Sequence, residues 1–297
     1  MEKQRYIEGL FMGASSFVLW GLLPIYWKLV NAITPYAIFA QRVVWSFVFM
    51  MLVIVIMKKT NNFMQHLKDI KVWKGVIAPS IFISINWLLY IWAVNNNYVI
   101  ETSLGYYINP LVMAFFGMVF YKERLNGLQK IGLSFAAAGV GLNTLFYGKF
   151  PIIAITLALC FATYGLLKKR SPIDSLMGLT FETLLIGVPS LLYLIFIEST
   201  GHGITGNLEG SFWGLISLSG VVTAVPLLLY GEGTKRLPLS VVGFLQYISP
   251  TIALMLGIFA FNEPFDYRSL MAFSLIWIGL LFFSYSQYKA LTDQSSK

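Results

Sequence analysis

The chain has 297 residues, of which 57% are hydrophobic and only 11% are charged, and its mean hydropathy is +0.72. A soluble globular domain carries about 25% charged residues, so this composition excludes such a domain and indicates a surface that faces lipid. The net charge of +8 is spread over short basic clusters between apolar runs. That distribution disfavours nucleic acid as a partner and favours membrane lipids.

Ten apolar runs are long enough to cross a bilayer, because a spanning helix needs about 20 residues. In chain order the predicted spans are 7–28, 35–57, 75–94, 98–121, 127–147, 151–167, 177–197, 210–231, 239–261 and 267–287. Backbone polar groups in lipid must be satisfied within their own segment, so each run is predicted to be a helix. The stretch 63–73 predicts an amphipathic helix that lies on the membrane. The predicted fold class is therefore an all-α polytopic membrane protein.

Lysine and arginine are distributed unequally between the two sides of this arrangement. With the N-terminus inside, the inner segments hold 17 of these residues, whereas the outer connections hold only Lys28, Lys149 and Arg268, and Arg42 lies within a span. Positive residues concentrate on the cytoplasmic side. Both termini are therefore predicted to be cytoplasmic.

The chain repeats itself at an offset of 140 residues. The matched pairs include Tyr107 and Tyr247, Pro110 and Pro250, Gly117 and Gly257, Glu123 and Glu263, and Gly139 and Gly279. Five helices is an odd number, so the second copy enters the membrane from the opposite side. The pattern predicts two inverted five-helix repeats, residues 1–148 and 149–297, an arrangement typical of transporters.

Several segments resemble a known family. They are NWLLYIWAVNN at 86–96, ETSLGYYINPLV at 101–112, KER at 122–124, WGLLP at 20–24, and the stretches 237–240 and 245–250. Together they resemble the RarD branch of the EamA transporters, in the drug/metabolite transporter superfamily, over nearly the whole chain. The resemblance implies ten helices in two EamA repeats around a central cavity. It also implies transport of small metabolites across the bacterial cytoplasmic membrane and a link to chloramphenicol sensitivity.

Polar and aromatic side chains near the middle of the spans are the candidate substrate site, because polar groups are costly in lipid unless they face the bundle or water. The predicted substrate-binding residues are Asn86, Trp87, Tyr90, Tyr106, Asn109, Gln246, Tyr247 and Arg42. Pro110 and Pro250 leave the carbonyls of Tyr106 and Gln246 without their helical donor. The alternative is that Asn86, Asn109 and Gln246 only join helices by hydrogen bonds.

Three charged residues inside spans have two interpretations each. Arg42 and Glu101 lie at similar depth, so they are predicted either to form an ion pair or to separate. In the second case Arg42 holds a substrate carboxylate and Glu101 accepts a proton. Glu182 matches Arg42 at the 140-residue offset, and it either couples transport to protons or reaches out to the interface.

The predicted function is a secondary transporter of small metabolites or amphipathic drugs that works by alternating access. Export by proton exchange is the leading expectation, and uncoupled facilitation is the alternative. An enzyme is disfavoured because His66 and His202 both fall in predicted loops. A non-transporting receptor or assembly subunit is the other alternative. No cofactor or metal is expected, and a monomer is sufficient, although a homodimer is compatible with the sequence.

Overall fold

The computed structural model describes residues 2–30, 33–96, 98–201, 203, 210–260 and 267–293. The helices are α1 (Glu2–Leu29), α2 (Pro35–Ile56), α3 (Thr60–Lys68), α4 (Ile70–Asn95), α5 (Val99–Tyr121), α6 (Gly127–Tyr147), α7 (Ile152–Arg170), α8 (Ser175–Ser199), α9 (Gly210–Arg236), α10 (Leu239–Gln246), α11 (Ile248–Met255) and α12 (Tyr267–Asp293). A π-helical stretch, Leu256–Ala260, continues α11. These residues contain no β-strand. His202 and Glu263 lie outside the described ranges.

Nine spans within the described ranges are long and apolar enough to cross a membrane, with α10, α11 and the π-helical stretch counted as one. They match nine of the ten predicted spans. The tenth is α6, a 21-residue helix whose glycines and polar residues lower its hydropathy, and it packs along α12. Bulky apolar side chains cover the outside of the bundle, and Phe11, Leu145, Phe259 and Leu281 are each more than 70% exposed. The all-α polytopic fold is confirmed.

Short polar residues decide where several helices begin. The side chains of Thr34, Asp174 and Asn126 accept hydrogen bonds from backbone N–H groups in the first turns of α2, α8 and α6. Asp69 does the same for α4. The prediction of one surface helix over 63–73 is wrong in its limits, because α3 ends at Lys68 and Asp69 starts the spanning helix α4. His66 lies in α3 rather than in a loop.

The helices pack symmetrically under the 140-residue exchange. That exchange relates α1 to α7, α2 to α8, α4 to α9, α5 to the α10–α11 pair and α6 to α12. The packing of α1 on α9 is matched by α7 on α4, that of α2 on α9 by α8 on α4, and that of α5 on α7 by α11 on α1. The pairs α2–α8, α5–α10 and α6–α12 are each their own match. Two similar halves around a pseudo-two-fold axis produce this pattern.

The close crossing of α6 and α12 shows the same symmetry at the level of single residues. A Cβ atom added to Gly132 would lie 2.7 Å from the carbonyl oxygen of Gly279, and one added to Gly139 would lie 2.7 Å from that of Ala272. Ala272 and Gly279 are the 140-residue counterparts of Gly132 and Gly139. The small residues thus let the backbones of α6 and α12 touch at two equivalent points.

The ninth predicted span, 239–261, is interrupted at one residue. Tyr247 lies between α10 and α11, keeps right-handed helical dihedrals (φ −63°, ψ −16°) and donates its N–H to the Phe244 carbonyl, three residues back. Pro250 lacks the N–H that would bond to the Gln246 carbonyl, so the helix is weakest at this turn. The counterpart proline, Pro110, lies within α5, which continues unbroken. Discontinuous helices near the middle of a bundle are a common feature of transporter binding sites.

Candidate functional site

Arg42 is the starting point of the site. It lies seven residues after the first residue of α2, about 10 Å along the helix axis. Its guanidinium carbon is 4.3 Å from the ring centroid of Trp87 on α4 and 5.4 Å from that of Trp27 on α1. The Nε atom is buried and has no hydrogen-bond partner. Among the described side chains no carboxylate forms an ion pair with Arg42.

Two tyrosines show that the space beside Arg42 is open. Tyr90 and Tyr106 lie near the guanidinium, and their ring centroids are 5.9 Å apart. Tyr90 is 37% exposed and Tyr106 is 45% exposed. Charged and polar groups within a span face the bundle interior or water rather than lipid, so we interpret this exposed surface as the wall of an opening between the helices. We call this opening the Arg42 chamber and define it by Arg42, Trp27, Trp87, Tyr90 and Tyr106.

The predicted ion pair between Arg42 and Glu101 is not formed. The Glu101 carboxylate accepts a hydrogen bond of 2.6 Å from the Tyr147 hydroxyl and one of 3.0 Å from the backbone N–H of Ile153. Ile153 lies in the first turn of α7, where unpaired N–H groups favour an anion. Glu101 is thus satisfied by the junction between α6 and α7, and Arg42 is left without an acidic partner.

A second charged site lies at the other end of the bundle. Lys168 Nζ is 2.8 Å from Glu182 Oε1, and each side chain is only 3% exposed. The Tyr164 hydroxyl donates to Glu182 Oε2 at 3.1 Å. We call these three residues the Lys168 cluster. Glycines make room for the lysine, since a Cβ on Gly178 would lie 3.4 Å from its Nζ and one on Gly231 would lie 3.5 Å from its Cε.

Lys168 and Tyr164 are not among the site residues predicted from the sequence, in which the lysine counts only as one of the 17 basic residues of the inner segments. Glu182 neither points to the interface nor stands alone. A signal was present, because Lys168 and Glu182 lie at similar depths in neighbouring predicted spans and carry opposite charges. Lys168, with Arg42, is therefore a second basic residue within the membrane-spanning helices, and it is the more buried of the two.

A narrow cleft lies between the chamber and the cluster. Its walls come from α2, α4, α7, α8 and α9, and Trp87, Tyr164 and Glu182 all border it. Its free interior is about 10 Å³, roughly the space that a single water molecule needs. Trp87 borders both the chamber and the cleft, and Tyr164 and Glu182 belong to both the cleft and the Lys168 cluster, so the cleft lies on the line between the two charged sites.

Four predicted site residues line neither the chamber nor the cleft. Asn86 donates from Nδ2 to the Leu157 carbonyl at 2.8 Å and so joins α4 to α7. Tyr247 is fully buried, and its hydroxyl donates to the Tyr107 carbonyl at 3.1 Å, which joins α10–α11 to α5. Asn109 and Gln246 are also buried, and one side-chain oxygen of each has no hydrogen-bond partner. Of the predicted site residues, Arg42, Trp87, Tyr90 and Tyr106 lie near one another.

The end of the bundle beyond the Lys168 cluster is closed by contacts between the halves. We call it the basic end and define it by the helix ends at Lys58, Lys122, Arg170 and Arg236. Lys122 adopts a left-handed conformation with φ of 53° and ends α5. The chain reverses there, so that the next residue, Glu123, points toward α10.

The Glu123 carboxylate binds the first turn of α10. It accepts hydrogen bonds from the backbone N–H groups of Leu239 at 2.7 Å and Ser240 at 3.0 Å, and from the Ser240 hydroxyl at 2.7 Å. Beside it, the Lys169 ammonium donates to the carbonyls of Thr234 and Leu237. We call the contacts of Glu123 with Leu239 and Ser240 the Glu123 latch. The latch ties α5 of the first half to α10 of the second.

Metal binding has no support in the described part of the chain, where no three His, Cys, Asp or Glu side chains lie close enough to hold an ion.

Comparison with known proteins agrees with this architecture. The model of the EamA-like transporter family matches residues 7–145 and, a second time, residues 149–285. The chain is 47% identical over 293 residues to the "Uncharacterized transporter YojE" of Bacillus subtilis, across 97% of each chain. It is 33% identical over 283 residues to "Protein RarD" of Escherichia coli, across 95% of this chain and 96% of that one. A protein of known crystal structure shares the fold, with a TM-score of 0.70 at 19% identity over 92% of this chain and 96% of the other.

Proposed function

We propose that this chain, which belongs to the EamA-like transporter family, moves small metabolites or amphipathic drugs by alternating access. The premise is that it is a membrane transporter of the drug/metabolite superfamily. One observation carries the proposal. The Arg42 chamber is accessible. Toward the basic end, by contrast, the cleft is narrow and the hydrogen bonds of the Glu123 latch hold the two halves together. A site at the interface of two similar halves, open in one direction only, is what an alternating-access carrier requires.

The direction of opening follows from the charges. Seventeen lysines and arginines belong to the segments on the side of the basic end, against three on the opposite side. We assign the basic end and both termini to the cytoplasm, in the bacterial cytoplasmic membrane, so that the chamber of this conformation opens outward. A membrane-impermeant amine reagent added to intact cells should label Lys149 and spare Lys122. Labelling of Lys122 in place of Lys149 would reverse the assignment.

Exchange between the two repeats, residues 1–148 and 149–297, supplies the inward-open conformation. When the halves swap their arrangements, the Glu123 latch opens and the chamber closes. One chain contains both halves, so the mechanism needs no second copy.

The Lys168 cluster is proposed to couple this exchange to protons. A proton on Glu182 would neutralise the carboxylate and remove the ion pair with Lys168, which lies beside the cleft. The contacts that stabilise the closed cleft would weaken as a result. Uncoupled facilitation is the alternative, and under it the ion pair is purely structural.

Flux into proteoliposomes tests both levels of the proposal. The panel contains amino acids, aromatic metabolites and chloramphenicol, each measured with and without a pH gradient. We expect saturable flux of at least one compound, driven by the gradient. No saturable flux for any compound contradicts transport.

Two variants then test coupling. Glu182→Gln should retain exchange of the substrate across the membrane without a gradient, but it should lose the response to the gradient. Glu8→Gln, a change at an exposed position on α1, is the control and should behave as the parent. A full gradient response in Glu182→Gln would assign the pair a structural role and favour facilitation.

A further inference from the structure

We propose that the Arg42 chamber binds the carboxylate of an organic anion whose remainder is a flat apolar or aromatic group. This inference rests on the proposed function, because it names the substrate class of the same site. The chamber offers one fixed positive charge within apolar surroundings. A group bound there must complement that charge.

Arg42 has no acidic partner among the described side chains. Glu101, the acidic residue predicted at similar depth, is already bound to Tyr147 and Ile153. The electrostatic neighbours of the guanidinium are the tyrosines Tyr26, Tyr90 and Tyr106 rather than a carboxylate. A buried base in a membrane-spanning helix is costly unless it is paired. Among the described side chains no carboxylate pairs with this guanidinium, so an anionic ligand would supply the countercharge that they do not.

The aromatic rings around Arg42 leave room for a flat group beside its charge. The guanidinium carbon of Arg42 lies over the Trp87 ring, 4.3 Å from its centroid. The ring accepts no classical hydrogen bond, so N–H groups of the guanidinium stay available, and a guanidinium can bind a carboxylate in a bidentate manner. Trp87, Tyr90 and Tyr106 then present flat surfaces to the rest of the ligand. Aromatic walls with one well-placed charge are typical of a site for a small amphipathic molecule.

The charge also excludes other classes. A cationic ligand would be repelled by Arg42 at close range. A phosphate dianion normally recruits several bases, whereas three phenols are the electrostatic neighbours of this guanidinium. The arrangement therefore favours a carboxylate with a single negative charge.

Calorimetric binding to the full chain in detergent micelles tests the inference. The probes are 3-phenylpropionate, its neutral amide and the cation 2-phenylethylamine, which share one ring and differ in charge. We expect the carboxylate to bind roughly 10- to 100-fold more tightly than the amide, the range of one hydrogen-bonded charge contact. The amine should bind more weakly than the amide. Equal affinities, or no binding by any of the three, would overturn the inference.

Variants then locate the preference. Arg42→Gln should lose the discrimination between carboxylate and amide, and Arg42→Lys should retain part of it. Arg124→Gln changes an exposed arginine in the α5–α6 connection and should match the parent. A carboxylate preference that survives in Arg42→Gln would place the anion site elsewhere and overturn the proposal. The comparison of the three probes on the parent protein needs no variant, so it decides the matter even if Arg42→Gln does not fold.

Failure of this inference is distinguishable from failure of the proposed function. Saturable flux of neutral chloramphenicol together with equal binding of carboxylate and amide would leave a transporter with a different substrate class. Selective carboxylate binding without flux of any carboxylate would leave the chamber assignment standing and contradict transport.

Discussion

Removing one member of the Lys168–Glu182 ion pair should destabilise the protein far more than replacing both members by apolar side chains. In Lys168→Met the Glu182 carboxylate stays buried, with the Tyr164 hydroxyl as its remaining partner. Removing one member of a buried pair costs about 3–5 kcal/mol, whereas replacing both members by apolar side chains is often neutral. We therefore expect Lys168→Met and Glu182→Leu each to destabilise the protein by roughly that amount, and the double variant to recover most of the loss. The coupling energy should be about 3 kcal/mol or more.

Equilibrium unfolding of all four proteins in the same mixed micelles measures that coupling. The chain offers a matched control in the ion pair of Glu232 with Arg236, which is one helical turn apart and 23–31% exposed. Partly exposed pairs at this spacing contribute about 0.3–0.5 kcal/mol. If the cycle for Lys168 and Glu182 gave a coupling no larger than the cycle for the control pair, the reasoning from burial would be refuted.

Two other changes test the packing of the halves. Glu123→Gln removes the charge of the latch, so amide exchange at Leu239 should accelerate roughly 10- to 100-fold, as expected for the loss of about 1.5–3 kcal/mol; unchanged exchange would show that the latch contributes nothing. Gly132→Ala and Gly139→Ala each place a methyl group against a backbone carbonyl and should lower the thermal midpoint by similar amounts, at a cost of about 1–3 kcal/mol. Gly141→Ala on the same helix meets no atom within 4 Å and should be neutral, so an equal loss there would contradict the crossing geometry.

The helices themselves were predictable from local chemistry. Spans such as 35–57 and 127–147 agree with α2 and α6 to within one residue, because apolar runs and capping residues such as Thr34 and Asn126 act within a few positions of the chain. The interruption at Tyr247 was not predicted. Proline also occurs within α5 without an interruption, so its effect depends on how neighbouring helices support the turn.

The pairing of charged residues could not be predicted from their depth in the membrane. Arg42 and Glu101 lie at similar depth and do not pair, whereas Lys168 and Glu182 lie at similar depth and do. Depth along the membrane normal can be counted in residues, but the direction of a side chain around its helix changes by about 100° with each residue. The rotation and tilt of each helix in the bundle therefore decide which charges meet.

The sequence by itself determined the membrane class, the approximate number and positions of the spans, the 140-residue repeat and the charge difference between the two ends. Each of these depends on composition or on spacing along the chain, and the bilayer enforces them on any packing of the helices. Only the tertiary structure decided that Arg42 faces aromatic rings in an open chamber and that Lys168 lies buried against Glu182. It also decided that Asn86 and Tyr247 form hydrogen bonds between helices. Those outcomes depend on contacts between helices far apart in the chain, which the rotation of each helix sets and local sequence does not.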